Sequence, residues 1–153
     1  MKEKSKKTKT ICIDFDGVIH DYSRGYQGKD VFDKAIDGAS NGTKVLKENG
    51  WRIIIYTTRP NTQKLRDWLK ENDIAYDYIN ESPDQPEESS GCKLIADVYL
   101  DDRAVNFRGN WKWTMGDIAG FKPWGSGGED ELKDMRKQYR NIFEMAKEAD
   151  CSF

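Results

Sequence analysis

The chain holds 153 residues, 37% of them hydrophobic and 34% charged, a balance that suits one compact soluble domain and excludes a disordered chain. A domain of this length buries roughly 70% of its unfolded surface, so a core forms without disulfides. The net charge of −2 is uneven: Lys2, Lys4, Lys6, Lys7 and Lys9 face only Glu3 in the first nine residues, and the acidic remainder carries no strong nucleic-acid footprint.

Residues 1–9 read as a flexible basic leader, with a nucleic-acid-binding arm as the alternative. The apolar stretch that follows, Ile11-Cys12-Ile13, stops at Asp14, too short for a secretory signal. The longest apolar run, Ile53-Ile54-Ile55-Tyr56, falls far short of the ~20 residues of a bilayer span. Cys12, Cys92 and Cys151 are odd in number and widely spaced, and His20 is the only histidine. Neither a disulfide framework nor a zinc cluster fits, so a reducing, cytoplasmic location is expected.

Thr10 to Phe15 reads as a buried strand broken at Asp16-Gly17. His20 to Gly38 is an irregular excursion containing Tyr22 and Tyr26. A helix is predicted over 39–49, with Val45 and Leu46 inward and Gly50 as its stop. Trp51 to Tyr56 is a second strand, buried on both faces. Asn61 is placed as the cap of a second helix, whose Leu65, Trp68 and Leu69 line the inner face. Short strands are expected over 75–79, 97–100 and 104–107, with a proline-bearing loop from Glu81 to Gly91. Beyond a glycine hinge at 125–128, Leu132, Met135, Tyr139, Ile142, Phe143 and Ala146 form an apolar helical stripe, expected to pack on the 10–124 domain. Strands alternating with helices predict an α/β domain with a mostly parallel sheet.

Three strand ends carry reactive side chains: Asp14 and Asp16, then Thr57-Thr58-Arg59, then Asp101-Asp102, with Lys93 just upstream of the last. Parallel sheets bind ligands beyond such carboxyl ends. Strand alternation points Asp14 and Asp16 the same way. Two carboxylates about 4 Å apart repel by about 4 kcal/mol at an effective dielectric of roughly 20, and adding Asp101 and Asp102 calls for a cation. Oxygen donors favour Mg²⁺ with a phosphate substrate. Gly17 removes a Cβ where turn amides approach a phosphate, Thr57 offers a hydroxyl and Arg59 a bidentate clamp. Each piece has an ordinary explanation alone: a solvated turn, a helix cap, a surface loop. Their occurrence at successive strand ends points instead to phosphoryl transfer.

Asp14-Phe15-Asp16-Gly17-Val18 resembles motif I of the haloacid dehalogenase-like (HAD) superfamily, and Ile53 to Thr57 resembles its motif II. Lys93 matches motif III, and Val98 to Asp102 resembles motif IV, extended by Asn106. The resemblance covers about 10–113. It implies a three-layer Rossmann-like fold and a Mg²⁺-dependent phosphomonoester hydrolase. Asp14 would be the nucleophile that becomes an aspartyl-phosphate, and Asp16 the general acid–base. Mg²⁺ would be held by the Asp14 carboxylate, the Asp16 carbonyl and Asp102, with Asp101 in support. Thr57, or less readily Thr58, would steady the phosphoryl group together with Lys93.

The 41 positions from Asp16 to Thr57 and the 36 from Thr57 to Lys93 leave no room for a separate cap domain. The chain thus resembles a capless member of that family, whose open site often serves bulky substrates such as nucleic-acid ends or proteins. The resemblance implies nucleotide or nucleic-acid-end phosphates, with Tyr22, Tyr26, Trp111 or Trp113 as a partial lid for small ones. A monomer or a homodimer, away from membranes, is expected. The competing readings are a catalytically idle HAD-like binding protein and a receiver-type phosphoacceptor domain, although receivers carry their acidic pair on the first strand.

Overall fold

The computed structural model describes residues 8–124. The leader up to residue 7, the 125–128 hinge and the C-terminal helix lie outside the described residues. The chain divides into two compact units at the Asp101–Asp102 peptide bond, a boundary inside the expected 10–124 domain.

The first unit contains β1 (Thr10–Ile13), α1 (Ala39–Glu48), β2 (Arg52–Ile55), α2 (Gln63–Glu71), β3 (Tyr78–Ile79) and β4 (Val98–Leu100). The four strands form an all-parallel sheet in the order β3-β2-β1-β4, with Ile13 abreast of Ile55 on one side and of Leu100 on the other. This is the expected α/β, Rossmann-like class. No cap domain interrupts it among the described residues: 14–38 and 80–97 are irregular but for isolated bridges.

Isoleucine at every position from 53 to 55 suits a central strand with no solvent face, and all three are fully buried. Ile11, Ile13, Phe15, Ile53 and Ile55 pack with Leu65, Trp68 and Leu69 of α2, joined by Ala39 and Leu46 of α1. On the opposite face Cys12 and Ile54 pack with Leu94, flanked by Tyr56, Tyr78 and Ala96. Burial pushes the Cys12 thiol up to about 11, so it is a small neutral packing group.

Several local expectations are corrected. Val45 is exposed, and Thr43 takes the buried position on α1, its hydroxyl donating to the Ala39 carbonyl and accepting from the Ala75 N–H. Thr62, not Asn61, caps α2: its Oγ1 accepts from the Leu65 N–H and donates to Asp30. The third strand shrinks to two residues because side chains take over its ladder. Asp77 meets Ile53 through both its N–H and its carboxylate, and Asn80 continues beyond Ile79.

In the second unit α3 (Trp111–Ala119) begins at Asn110, whose side chain accepts from the Trp113 N–H. The expected strand over 104–107 is absent, as these residues are largely exposed and Phe107 instead meets the Trp111 ring at 5.4 Å. Asn106 lines an open depression of about 520 Å³ with Arg108, Asp117 and Phe121.

Candidate functional site

The strand order reverses at β1: the chain builds β2 and β3 outward on one side, then returns to lay β4 on the other. In an open parallel sheet, the crevice beyond the carboxyl ends at such a point is where ligands bind. Asp14 is the first residue past β1, and its N–H donates to the Leu100 carbonyl at 2.8 Å, which sets it abreast of Asp101. Asp102 follows across the peptide bond at the unit boundary. One carboxylate oxygen from each of Asp14, Asp101 and Asp102 lies within 4.8 Å of the other two. Asp14 Oδ1 also accepts from the Phe15 N–H at 2.8 Å, which fixes its rotamer. An all-oxygen, anionic donor set fits a hard divalent cation and not a thiophilic one.

Asp16 does not join this group, contrary to the alternation expected of a continuing strand. The strand has ended at Ile13, and the chain winds into a tight turn in which the Ile19 and His20 N–H groups both donate to the Phe15 carbonyl. Gly17 sits at φ 86°, a left-handed conformation that a side chain would strain, and its own N–H donates to the His20 carbonyl. That amide is committed to the turn and not offered to a phosphate.

The Asp16 carboxylate accepts from Arg59 Nε at 2.8 and 3.0 Å and from His20 Nδ1 at 2.8 Å. His20 Nε2 faces the Asp33 N–H at 2.6 Å and must accept there, so the donor proton of the ring sits on Nδ1. Phe15 stacks on the imidazole at 5.0 Å, while Phe32 and Trp68 meet it edge-on. Burial by itself would raise the Asp16 carboxyl. The His20 and Arg59 hydrogen bonds and the Arg59 charge outweigh burial and hold it below its ordinary value of 3.8.

Arg59 is likewise placed differently from the open clamp expected of it. It is 3% exposed, with Nη1 donating to the Gly28 and Lys29 carbonyls at 2.8 and 3.3 Å and its guanidinium carbon 5.3 and 5.2 Å from the Phe32 and Tyr26 ring centres. It ties the 20–34 excursion to Asp16. Tyr22 stands 6.5 Å from the His20 ring, and Trp111 and Trp113 are exposed on α3.

Thr57 is half-buried beyond β2, and its Oγ1 accepts from the Arg59 N–H at 3.1 Å. Its backbone is gripped on both sides by Asn80: the Thr57 N–H donates to Oδ1 at 2.8 Å and Nδ2 donates to the Thr57 carbonyl at 2.7 Å. Thr58 is exposed. Sequence reading missed Asn80; the signal available was an asparagine closing a short apolar strand, a residue type that tolerates φ above zero.

The pleat places Asp14 and Asp101 on the sheet face that carries Cys12 and Tyr99, and Lys93 lies on that face too, its ammonium 5.3 Å from the Tyr99 ring centre. Lys93 makes no ion pair among the described residues. The carbonyls on either side of it are held by phenols: Tyr56 Oη donates to Cys92 at 2.8 Å, and Tyr99 Oη donates to Leu94. Gln85 adds a bond from Nε2 to the Lys93 carbonyl at 3.2 Å. The loop holding this lysine is therefore fastened at three successive carbonyls.

No helix among the described residues is long and apolar enough to cross a membrane. No protein-family model matches the sequence, and no curated protein matches it. A solved structure of a conserved protein from Bacteroides thetaiotaomicron is similar, with a TM-score of 0.53 and 23% identity over 78% of this chain and 97% of that one. At that identity the likeness is one of fold: an α/β, Rossmann-like architecture shared along nearly all of the other chain.

Proposed function

We propose that the protein is a Mg²⁺-dependent phosphomonoester hydrolase of the HAD-like type, working through an aspartyl-phosphate on Asp14. The observation that carries this reading is the convergence of the Asp14, Asp101 and Asp102 carboxylates beside the point where strand order reverses. Like charges so close favour a bound cation, and Asp14, Asp102 and Asp101 would hold Mg²⁺. When bound, the ion would neutralise phosphoryl oxygens and part of the carboxylate charge.

In this reading an Asp14 oxygen attacks phosphorus while the bond to the ester oxygen breaks, and the leaving oxygen takes up a proton. Water then attacks phosphorus, frees Asp14 and gives up its proton, so that alcohol and inorganic phosphate are the products. Thr57 donates its hydroxyl to a phosphoryl oxygen, and Lys93, on the same face as Asp14, adds positive charge. Asp16 has the residue type of the acid–base, but its bonds to Arg59 and His20 favour the carboxylate. Its acid role therefore requires the carboxyl to take up a proton and the substrate's leaving oxygen to replace one of these partners. Asp16 then gives that proton to the leaving oxygen and takes one back from the attacking water. An easily expelled phenolate relaxes that requirement, whereas an alkoxide does not.

The test is p-nitrophenyl phosphate turnover with and without Mg²⁺, in the wild type and in Asp14→Asn. We expect metal-dependent turnover and a loss of about a thousandfold or more in the variant. Turnover without metal, or turnover surviving Asp14→Asn, overturns the mechanism. Phosphate binding without turnover selects the idle binding protein instead.

A further inference from the structure

Strand β3 offers β2 only two residues, yet the β2 ladder continues past its end. The Asn80 N–H donates to the Ile55 carbonyl at 2.9 Å as the last backbone rung. Asn80 then takes φ 56°, and the main chain leaves the sheet. Its side-chain amide supplies the next rung, with Oδ1 accepting from the Thr57 N–H and Nδ2 donating to the Thr57 carbonyl. A carboxamide is chemically a peptide group, so the replacement is like for like. The donor and acceptor order on Thr57 permits only this orientation of the amide.

The consequence is positional. Residues after a parallel strand ordinarily splay into loop, and a hydroxyl on such a loop samples several places. Here the Thr57 peptide is held at both polar groups, and Nδ2 reaches the Arg59 carbonyl as well at 3.4 Å. We infer that Asn80 is a positioning residue for phosphoryl transfer, holding the 57–59 turn so that the Thr57 hydroxyl stands fixed at the strand end. This rests on the phosphatase reading given above. Asp77 makes a similar two-way grip on Ile53, at the opposite end of the same strand pair and away from the strand ends that gather the carboxylates. It serves as an internal control.

Asn80→Gly is the informative variant, because glycine accepts the left-handed conformation and only the side chain is lost. With p-nitrophenyl phosphate and Mg²⁺, we expect kcat to fall roughly 10- to 100-fold with KM nearly unchanged, since a displaced donor acts mainly on the transition state. Asp77→Ala should lower the melting temperature while leaving kcat per folded molecule unchanged. In a Thr57→Ala background, Asn80→Gly should cost less than about twofold further, because the residue it positions is gone. A kcat within about twofold of wild type in Asn80→Gly, or losses that simply multiply with Thr57→Ala, overturns the role of Asn80 and leaves the phosphatase reading intact. If the wild type shows no turnover, the phosphatase reading falls and the catalytic role of Asn80 falls with it, while amide hydrogen exchange still tests the grip itself. Exchange of the Thr57 amide faster in Asn80→Gly than in Asp77→Ala supports the hold on the 57–59 turn, and an unchanged rate ends it.

Discussion

On one face of the sheet Ile11, Ile13, Phe15, Ile53 and Ile55 meet two helices and a set of aromatic rings; on the other Cys12 and Ile54 meet Leu94 and a strandless segment hung from two tyrosine hydroxyls. The helix-covered face also encloses a charged group, the Arg59–Asp16 pair with His20, walled by Phe15, Phe32 and Trp68. Apolar area closes the first face, while the second combines the smaller Cys12–Ile54–Leu94 cluster with directed bonds to carbonyls. The difference teaches where rigidity comes from: burial makes the first face costly to disturb, while the second, which carries Asp14 and Lys93, is held by bonds worth about 1 kcal/mol each.

The largest expected effect breaks the first face. Arg59→Met keeps most of the packing against Phe15 and Phe32 but leaves the Asp16 carboxylate with one strong partner in a largely enclosed place. Removing one member of such a pair costs about 3–5 kcal/mol, comparable to truncating a fully buried leucine such as Leu69. Urea unfolding measures it. A loss under about 1 kcal/mol would mean that solvent already supports Asp16, and that the pair does not close this face.

Acid sharpens the same comparison. The Asp16 carboxyl is held below its ordinary value of 3.8 when folded, so between the two values the unfolded chain binds more protons and stability rises with pH. The contribution is complete above about 3.8, where the unfolded carboxyl ionises, and is lost as pH falls through the lowered folded value. Unfolding midpoints followed from pH 6 down to 2.5 should therefore drop more steeply in the wild type than in Asp16→Asn. Parallel curves for the two proteins would remove Asp16 from the acid sensitivity of the fold.

The same contrast explains what could be read from the sequence. Apolar faces write themselves as patterns, so the first two strands, the Leu65–Trp68–Leu69 stripe and the parallel α/β class were legible. Strand ends in a parallel sheet share one edge, which is why Asp14, Asp16, Asp101 and Asp102 were all expected together. Asp14, Asp101 and Asp102 do lie close, but Asp16 turns away to Arg59 and His20. Directed bonds leave no period. Nothing in the spacing shows Asn80 gripping Thr57, or Arg59 turning inward once Gly17 has bent the chain. Thr62 took the cap from Asn61 through one hydroxyl bond, and α3 was hidden by glycine at 116 and by tryptophans that stay exposed.

The smallest expected effect falls on the second face. Tyr56→Phe removes one phenol and leaves the ring against Tyr99 at 6.4 Å, so only the bond to the Cys92 carbonyl is lost. That bond lies at an exposed position where water can replace it, and global stability should fall by no more than about 1 kcal/mol. The segment around Lys93 would then open locally more often. About 1 kcal/mol corresponds to roughly fivefold faster amide hydrogen exchange over 92–96, with the β1 and β2 amides unchanged. Under the phosphatase reading, a looser Lys93 should weaken inorganic phosphate binding in step with that exchange. Exchange confined to its wild-type rate would show that Leu94 packing alone secures this face, and the distinction between a face closed by area and a face closed by directed bonds would not hold.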